Sequence, residues 1–240
     1  MEIRQAVILV GGRGERLMPL TDTVPKPMVP VLGKPFLERL VILLRDNGIR
    51  KFLFLAGYLG EKIEAYFGNG EKWGISIKYS FEKEPLGTGG ALRLAQDKLD
   101  GRFFLLFGDS YLPGNYAAMF DSTVKSKRKV VLAVYDNAED TGVPFNVKLD
   151  KISGLVAEYN KRKDNPADFD HCDAGVIVVE KSVVEMIPDN KKVSFEESIY
   201  PALIQQKELG YYICGQRFYD IGTNERLKVF EAYIAKEKRK

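Results

Sequence analysis

Unbroken apolar runs recur through the first half of the chain, separated by stretches whose apolar positions follow a helical spacing. Residues 6–10 (AVILV), 52–55 (FLFL), 103–107 (FFLLF) and 130–134 (VVLAV) show none of the apolar–polar alternation of a strand with one wet face. Runs of this length predict strands buried on both faces of a parallel sheet. Residues 36–47 place Leu37, Leu40, Val41 and Leu44 on one side and end at Gly48, the pattern of an amphipathic helix closed by a glycine cap. Further helices are predicted over 60–67, 90–98 and 115–126, and a strand over 75–79. The alternation predicts an α/β fold, a Rossmann-like three-layer sandwich around a mostly parallel central sheet.

The second half has a different rhythm. Strands are predicted over 146–149, 154–159, 174–179, 211–214 and 218–221, with helices only over 195–208 and 224–235. No repeat, low-complexity stretch or linker interrupts the 240 residues. The expectation is a single domain, 1–240, with one lobe over 1–135 and a second over 136–240.

Composition adds little beyond exclusions. Charged residues make up 29% and the net charge is +3, so the basic stripe of a nucleic-acid binder is not expected. The two cysteines, Cys172 and Cys214, and the single histidine, His171, lack zinc-ligand spacing. No apolar run approaches the roughly 18 residues of a membrane span, and no secretory leader pattern opens the chain. A cytoplasmic protein without membrane attachment is expected. No oligomeric state follows from the sequence, and a homo-oligomer stays open.

The chemistry concentrates after the first strand. Val10 is followed by Gly11, Gly12, Arg13, Gly14, Glu15 and Arg16, and Lys26 stands between Pro25 and Pro27. Glycines let backbone N–H groups approach a ligand closely. Arginine forks match phosphate oxygens, and the flanking prolines restrict where the Lys26 ammonium can go. A phosphate cradle is the functional reading; a glycine turn with solvated cations is the bland one. The segment is neither a P-loop, since GxxxxGK[ST] is absent, nor a dinucleotide fingerprint, whose third glycine is Leu17 here.

Two more segments carry candidates. Glu84-Pro85-Leu86-Gly87-Thr88 opens a helix, so its N–H groups and the Thr88 hydroxyl lie where a ligand can use them. A helix-start turn capped by Thr88 accounts for the same residues. Asp109 follows the 103–107 strand, at the sheet edge where open α/β folds bind ligands.

The stretch from Gly11 to Pro35, GGRGERLMPLTDTVPKPMVPVLGKP, closely resembles the opening signature of the nucleoside-diphosphate-sugar pyrophosphorylases, the sugar-1-phosphate nucleotidyltransferases. Later landmarks recur in order, so the resemblance covers the whole chain. It implies a GT-A-type nucleotidyltransferase fold, an NTP and a sugar 1-phosphate as substrates, pyrophosphate release and a requirement for Mg2+. It also implies a nucleotide lobe followed by a sugar-phosphate lobe. Arg16, Lys26 and Asp109 become the expected catalytic residues, and Val10, Gly11, Gly12, Arg13, Gly14, Glu84, Gly87 and Thr88 the nucleotide-binding ones. Asp220, in FYDIGT, matches the second metal ligand beside Asp109.

In the sugar-phosphate lobe the resemblance assigns Asn146, Glu158, Asp173, Gly175 and Glu196. This chain departs from the family there. The Glu-Lys-Pro element reads Glu158-Tyr159-Asn160-Lys161, so Tyr159 takes the place of the phosphate-binding lysine and Lys161 or Lys163 stands in. The end of the chain, without the β-helix of longer relatives, suggests a stand-alone transferase. Its short form is similar to bacterial heptose-1-phosphate guanylyltransferases and N-acetylmuramate-1-phosphate uridylyltransferases, which implies glycan precursor synthesis. Two other readings share these motifs: a cytidylyltransferase acting on a small phospho-alcohol such as phosphocholine, and a silent sugar-nucleotide-binding regulatory subunit.

Overall fold

A computed structural model describes residues 5–161 and 169–237. The first apolar run forms β1 (Gln5–Leu9), and a loop of short 3-10 turns leads to the small strands β2 (Pro30–Val31) and β3 (Lys34–Pro35). Then follow α1 (Phe36–Asp46), β4 (Lys51–Ala56), α2 (Gly60–Phe67), β5 (Ser76–Phe81), α3 (Gly87–Leu94), β6 (Arg102–Phe107), β7 (Ser110–Tyr111), α4 (Tyr116–Ser126) and β8 (Val130–Tyr135). The second half adds β9 (Val147–Asp150), β10 (Leu155–Tyr159), β11 (Cys172–Glu180), α5 (Tyr200–Gln205), β12 (Leu209–Ile213), β13 (Tyr219–Asp220) and α6 (Asn224–Glu237).

Among the described residues, nine strands form one sheet in the order β5-β4-β1-β6-β11-β8-β12-β10-β9. Seven of them run in one direction; only β11 and β10 run against it. The sheet is therefore mixed but mostly parallel, as the apolar runs predicted. β11, from the second half, inserts between β6 and β8 of the first, so both halves of the chain share one sheet.

The alternate residues of each strand feed two separate cores. Ala6, Ile8, Phe104, Leu106, Ala133 and Val178 pack with α1, α2, α4 and α6 on one face. Val7, Leu105, Leu132, Ile177 and Val179 pack with α3 and α5 on the other. A strand apolar on both faces is what this three-layer arrangement requires.

Two helices differ from expectation. The helix expected over 90–98 begins earlier, at Gly87, stops at Leu94, and is followed by a 3-10 turn, Gln96–Lys98. The helix expected over 195–208 is split into a π-turn, Phe195–Ile199, and the short α5. Pro201 explains the split: it has no N–H to donate back to the turn before it, so a regular α-helical ladder cannot pass through.

Candidate active site

At the C-terminal edge of β1, β4 and β6 lies a cleft of about 970 Å³. The loop from Val10 to Arg16, together with Lys26, Glu84, Gly87, Thr88 and Asp109, lines it. Every residue assigned to nucleotide binding or catalysis from the sequence thus meets in one place. Gly14 is required twice over. Its φ is 69°, and a Cβ there would come within 2.7 Å of the Lys26 Cβ. The glycine loop and the proline-framed lysine are therefore packed backbone to side chain. Thr21 donates to the Gly14 carbonyl at 3.0 Å and holds the turn, while the Arg13 guanidinium rests 5.3 Å from the centre of the Tyr58 ring.

Lys26 is buried, and its Nζ donates to Asp109 Oδ2 at 2.5 Å. Asp220 arrives from the far end of the chain. β13 pairs antiparallel with β7, setting Asp220 opposite Ser110, and the Ile221 N–H donates to the Asp109 carbonyl at 3.0 Å. Asp220 faces Arg226 at 3.3 Å and accepts the Gly222 N–H at 2.6 Å. Two carboxylates on adjacent backbone segments, each balanced by a cation, result. Among the described residues no cluster of three acidic, histidine or cysteine side chains gathers. The pair suits a hard cation that takes its remaining ligands from phosphate and water.

The start of α3 is less open than the sequence suggested. The Gly89 and Gly90 N–H groups donate to the Val193 carbonyl at 2.8 and 3.3 Å. The Thr88 hydroxyl donates to Glu196 Oε2 at 2.7 Å and accepts the Phe195 N–H at 2.8 Å. Thr88 is not the helix cap, and its hydroxyl is spent on the segment before α5. What the cleft receives from this helix start is the backbone at Gly87 and Thr88.

That same bond leads to the residues that the sequence assigned to the sugar phosphate. Glu196, 2% exposed, also accepts from the Ser194 hydroxyl at 2.8 Å and faces Lys161 Nζ at 3.5 Å. Its second oxygen, Oε1, and the buried Tyr200 hydroxyl have no hydrogen-bond partner among the described residues. Asp173 accepts from the Tyr159 hydroxyl at 3.1 Å and from the Gly175 N–H at 2.8 Å, and its own N–H donates to Asn146 Oδ1 at 2.8 Å. Burial pushes the Asp173 carboxyl up to about 6, with the charge of Glu196 adding to the shift and the Gly175 and Tyr159 bonds and Lys161 opposing it. Burial also raises the Tyr159 and Tyr200 hydroxyls well above their ordinary value.

Gly175 is where β11 meets the segment after β6. With φ at 74°, a Cβ there would lie 2.7 Å from the Ser110 Cβ, so only glycine lets the Asp173 turn settle against the residue after Asp109. Asn146, Lys161, Asp173, Gly175 and Glu196 are thus assembled together. Glu158 is not: it pairs with Lys148 at 3.0 Å on the exposed surface of the β9–β10 hairpin. Lys163 lies outside the described residues.

Residues 5–237 match the sequence profile of the nucleotidyl transferase family. The chain belongs to that family. It is 34% identical over 222 residues to a mannose-1-phosphate guanylyltransferase of Mycobacterium tuberculosis, covering 92% of this chain and 61% of that one. It is 33% identical over 219 residues to a D-glycero-alpha-D-manno-heptose 1-phosphate guanylyltransferase of Aneurinibacillus thermoaerophilus, covering 91% and 93%. The chain therefore spans nearly all of the heptose relative and under two thirds of the mannose one. Among solved structures, HddC from Yersinia pseudotuberculosis, determined in complex with GMP-PN, superposes with a TM-score of 0.79 at 26% identity. The match covers 99% of this chain and 100% of that one.

Within this nucleotidyl transferase the cleft contains residues the sequence did not single out. Tyr58, Glu82, Lys83 and Lys192 line it beside the expected set. Tyr58 follows β4 and Glu82 follows β5, and the strand edge that selected Asp109 as a candidate applies equally to both. Lys192 is brought in by the 191–195 segment that packs on the glycines of α3, a contact no local pattern signals. No helix among the described residues is long and apolar enough to cross a membrane.

Proposed function

We propose that this chain transfers a nucleoside monophosphate from an NTP to a sugar 1-phosphate, releasing pyrophosphate. The observation that carries the reading is the Lys26–Asp109 pair on the wall of the glycine–arginine cleft, with Gly175, two residues after Asp173, packed against Ser110 beside it. A phosphate monoester oxygen is already anionic near neutral pH, so attack on the α-phosphorus needs no general base. The protein must bring two polyanions together and neutralise charge on the phosphorus and the leaving group. Gly11, Gly12 and Gly14 offer backbone to the triphosphate, Arg13 and Arg16 its counter-charge, and Lys26 the charge between donor and acceptor. Asp109 and Asp220 would hold a divalent cation, Mg2+ fitting the two-carboxylate set, which when bound polarises the α-phosphate.

On the acceptor side, Asp173, Asn146 and the Glu196 and Tyr200 oxygens that lack a partner among the described residues provide hydrogen-bonding capacity for a polyhydroxylated ring. Lys161, half-exposed beside Glu196, stands ready for the acceptor phosphate in place of the lysine that Tyr159 displaces. The names of the relatives support a hexose or heptose 1-phosphate acceptor of the kind activated for glycan assembly. The test is pyrophosphate release measured with GTP, UTP, CTP or dTTP against mannose, heptose, glucose and N-acetylhexosamine 1-phosphates, with Mg2+. Release that depends on both substrates supports the reading. Its absence with every pair, or equal release without acceptor, rejects it.

A further inference from the structure

One guanidinium ties Asp220 to a distant loop. Arg226, in the first turn of α6, directs Nη1 at both oxygens of Asp220, 3.3 Å from each, and donates from Nη2 to the Gly142 carbonyl at 2.6 Å. Gly142 belongs to the 136–145 loop, which runs from β8 to Asn146. The loop is bonded within itself: Asn137 Oδ1 accepts the Thr141 N–H at 2.7 Å, Asp140 Oδ1 the Gly142 N–H at 3.0 Å, and Thr141 Oγ1 the Val143 N–H at 3.2 Å. Arg217 fixes its near end by donating to the Glu139 carbonyl at 2.6 Å. The Asp220 side is crowded. A Cβ on Gly222 would lie 2.7 Å from Asp220 Oδ1 and 3.5 Å from both Arg16 Nη2 and Arg226 Nη1. The missing side chain lets the carboxylate accept the Gly222 N–H with two guanidiniums close by.

We propose that Arg226 is a positioning residue that latches the 136–145 loop to Asp220 while this carboxylate holds no divalent cation, and releases the loop when it holds one. The inference rests on the reading of Asp220 as a ligand to that cation. The two ends of the guanidinium are unequal. At 3.3 Å, the bonds to Asp220 are long for a charged pair, whose usual separation is about 2.7–2.9 Å. The bond to Gly142 is short, so the Asp220 end is the one that yields. Asp220 cannot give its lone pairs to a divalent cation and keep Arg226 as before, because the guanidinium then faces a like charge at close range. Arg226 stays with Gly142 and moves with the loop, whose near end Arg217 still holds. Loading of the cation site and freeing of the segment that leads to Asn146 thus become linked equilibria, with Arg226 as the shared element.

The test uses Mn2+ alone as the probe, with the unmodified protein, Arg226→Ala and Arg226→Lys. Free Mn2+ is followed by electron paramagnetic resonance, and amide exchange over 138–145 by mass spectrometry. In the unmodified protein, saturating Mn2+ is expected to speed exchange in this loop by about fivefold or more. In Arg226→Ala the loop should exchange fast with or without Mn2+, and Mn2+ should bind about fivefold or more tighter, since no guanidinium competes for Asp220. Arg226→Lys keeps a charge beside Asp220, but one ammonium cannot span Asp220 and Gly142. Its Mn2+ affinity should stay near that of the parent while its loop no longer responds. A merely structural role would loosen the loop and weaken Mn2+ together. Exchange in the unmodified protein that bound Mn2+ leaves unchanged overturns the latch, and this comparison needs no variant to fold. Mn2+ binding that is not tighter in a folded Arg226→Ala also overturns it; either result leaves the transferase reading standing. Failure of the unmodified protein to bind Mn2+ overturns the latch and the Asp220 cation site together, and pyrophosphate release then tests the transfer by itself.

Discussion

Lys26 Nζ lies 2.5 Å from Asp109 Oδ2, joining the proline-framed segment that follows the glycine loop to the C-terminal edge of β6. The two side chains are 11% and 31% exposed, so each shields the other from the cost of an unpaired, partly desolvated charge. Substrate phosphate and a divalent cation would take over those roles on binding. Lys26→Ala and Asp109→Ala are each expected to stay folded and to lose about a hundredfold or more in kcat. In the double variant the losses should not multiply, since both groups act on the same phosphate. Steady-state pyrophosphate release and a melt of each variant check this.

Glu196 ties the segment before α5 to the start of α3 through Thr88. Glu196→Ala strands the Thr88 and Ser194 hydroxyls, and a cost of about 1–3 kcal/mol follows for buried groups left unsatisfied. Glu196→Gln keeps an acceptor for Thr88 and should recover most of that stability. Denaturant unfolding of the two variants separates them.

Asp173 makes stability depend on pH in a direction opposite to an ordinary salt-bridged carboxylate. Its folded value, about 6, is raised above the usual 3.8. Its contribution is therefore fully present below the unfolded value and is lost as pH rises through about 6. Asp173→Asn removes the ionisation and retains a carbonyl for the Gly175 N–H. The variant should melt higher than the parent at pH 8, by a few degrees at about 2–4 °C per kcal/mol for a chain of this size. The gap should close by pH 4. Melts across that range decide it.

Gly175→Ala forces a Cβ to 2.7 Å from that of Ser110 at a φ of 74°. Both the strain and the clash fall on the seam beside Asp109, so the variant should lose stability and turnover together. Adding Ser110→Gly removes the colliding atom and should restore part of each, leaving the strain of the positive φ. Paired melts and initial rates of the single and double variants test the coupling.

Much of this was legible in the sequence, for physical reasons specific to each element. β1, β6 and β8 are apolar on both faces because helices cover both sides, and that pattern is local. The convergence of Gly11 to Arg16, Lys26 and Asp109 on one cleft was readable because the glycine loop and Asp109 each follow a buried strand at the same sheet edge. The insertion of β11 between β6 and β8 was not readable, since strand order is set by long-range packing. The Thr88 hydroxyl looked available until the fold gave it Glu196 as acceptor, a partner 108 residues away. Glu82 and Tyr58 were open to the same strand-edge argument that selected Asp109, but neither belongs to a motif that drew attention to it. Glu158 shows the converse: a motif residue whose side chain the hairpin turns outward to Lys148.

The most direct test of the central claim follows the α-phosphorus. GTP or UTP labelled at that position is mixed with the protein, Mg2+ and each sugar 1-phosphate, and the products are separated. The account predicts label in a nucleoside-diphosphate sugar, formed one for one with pyrophosphate and only when an acceptor is present. Label recovered as nucleoside monophosphate regardless of acceptor, or left in the triphosphate with every acceptor tried, contradicts it.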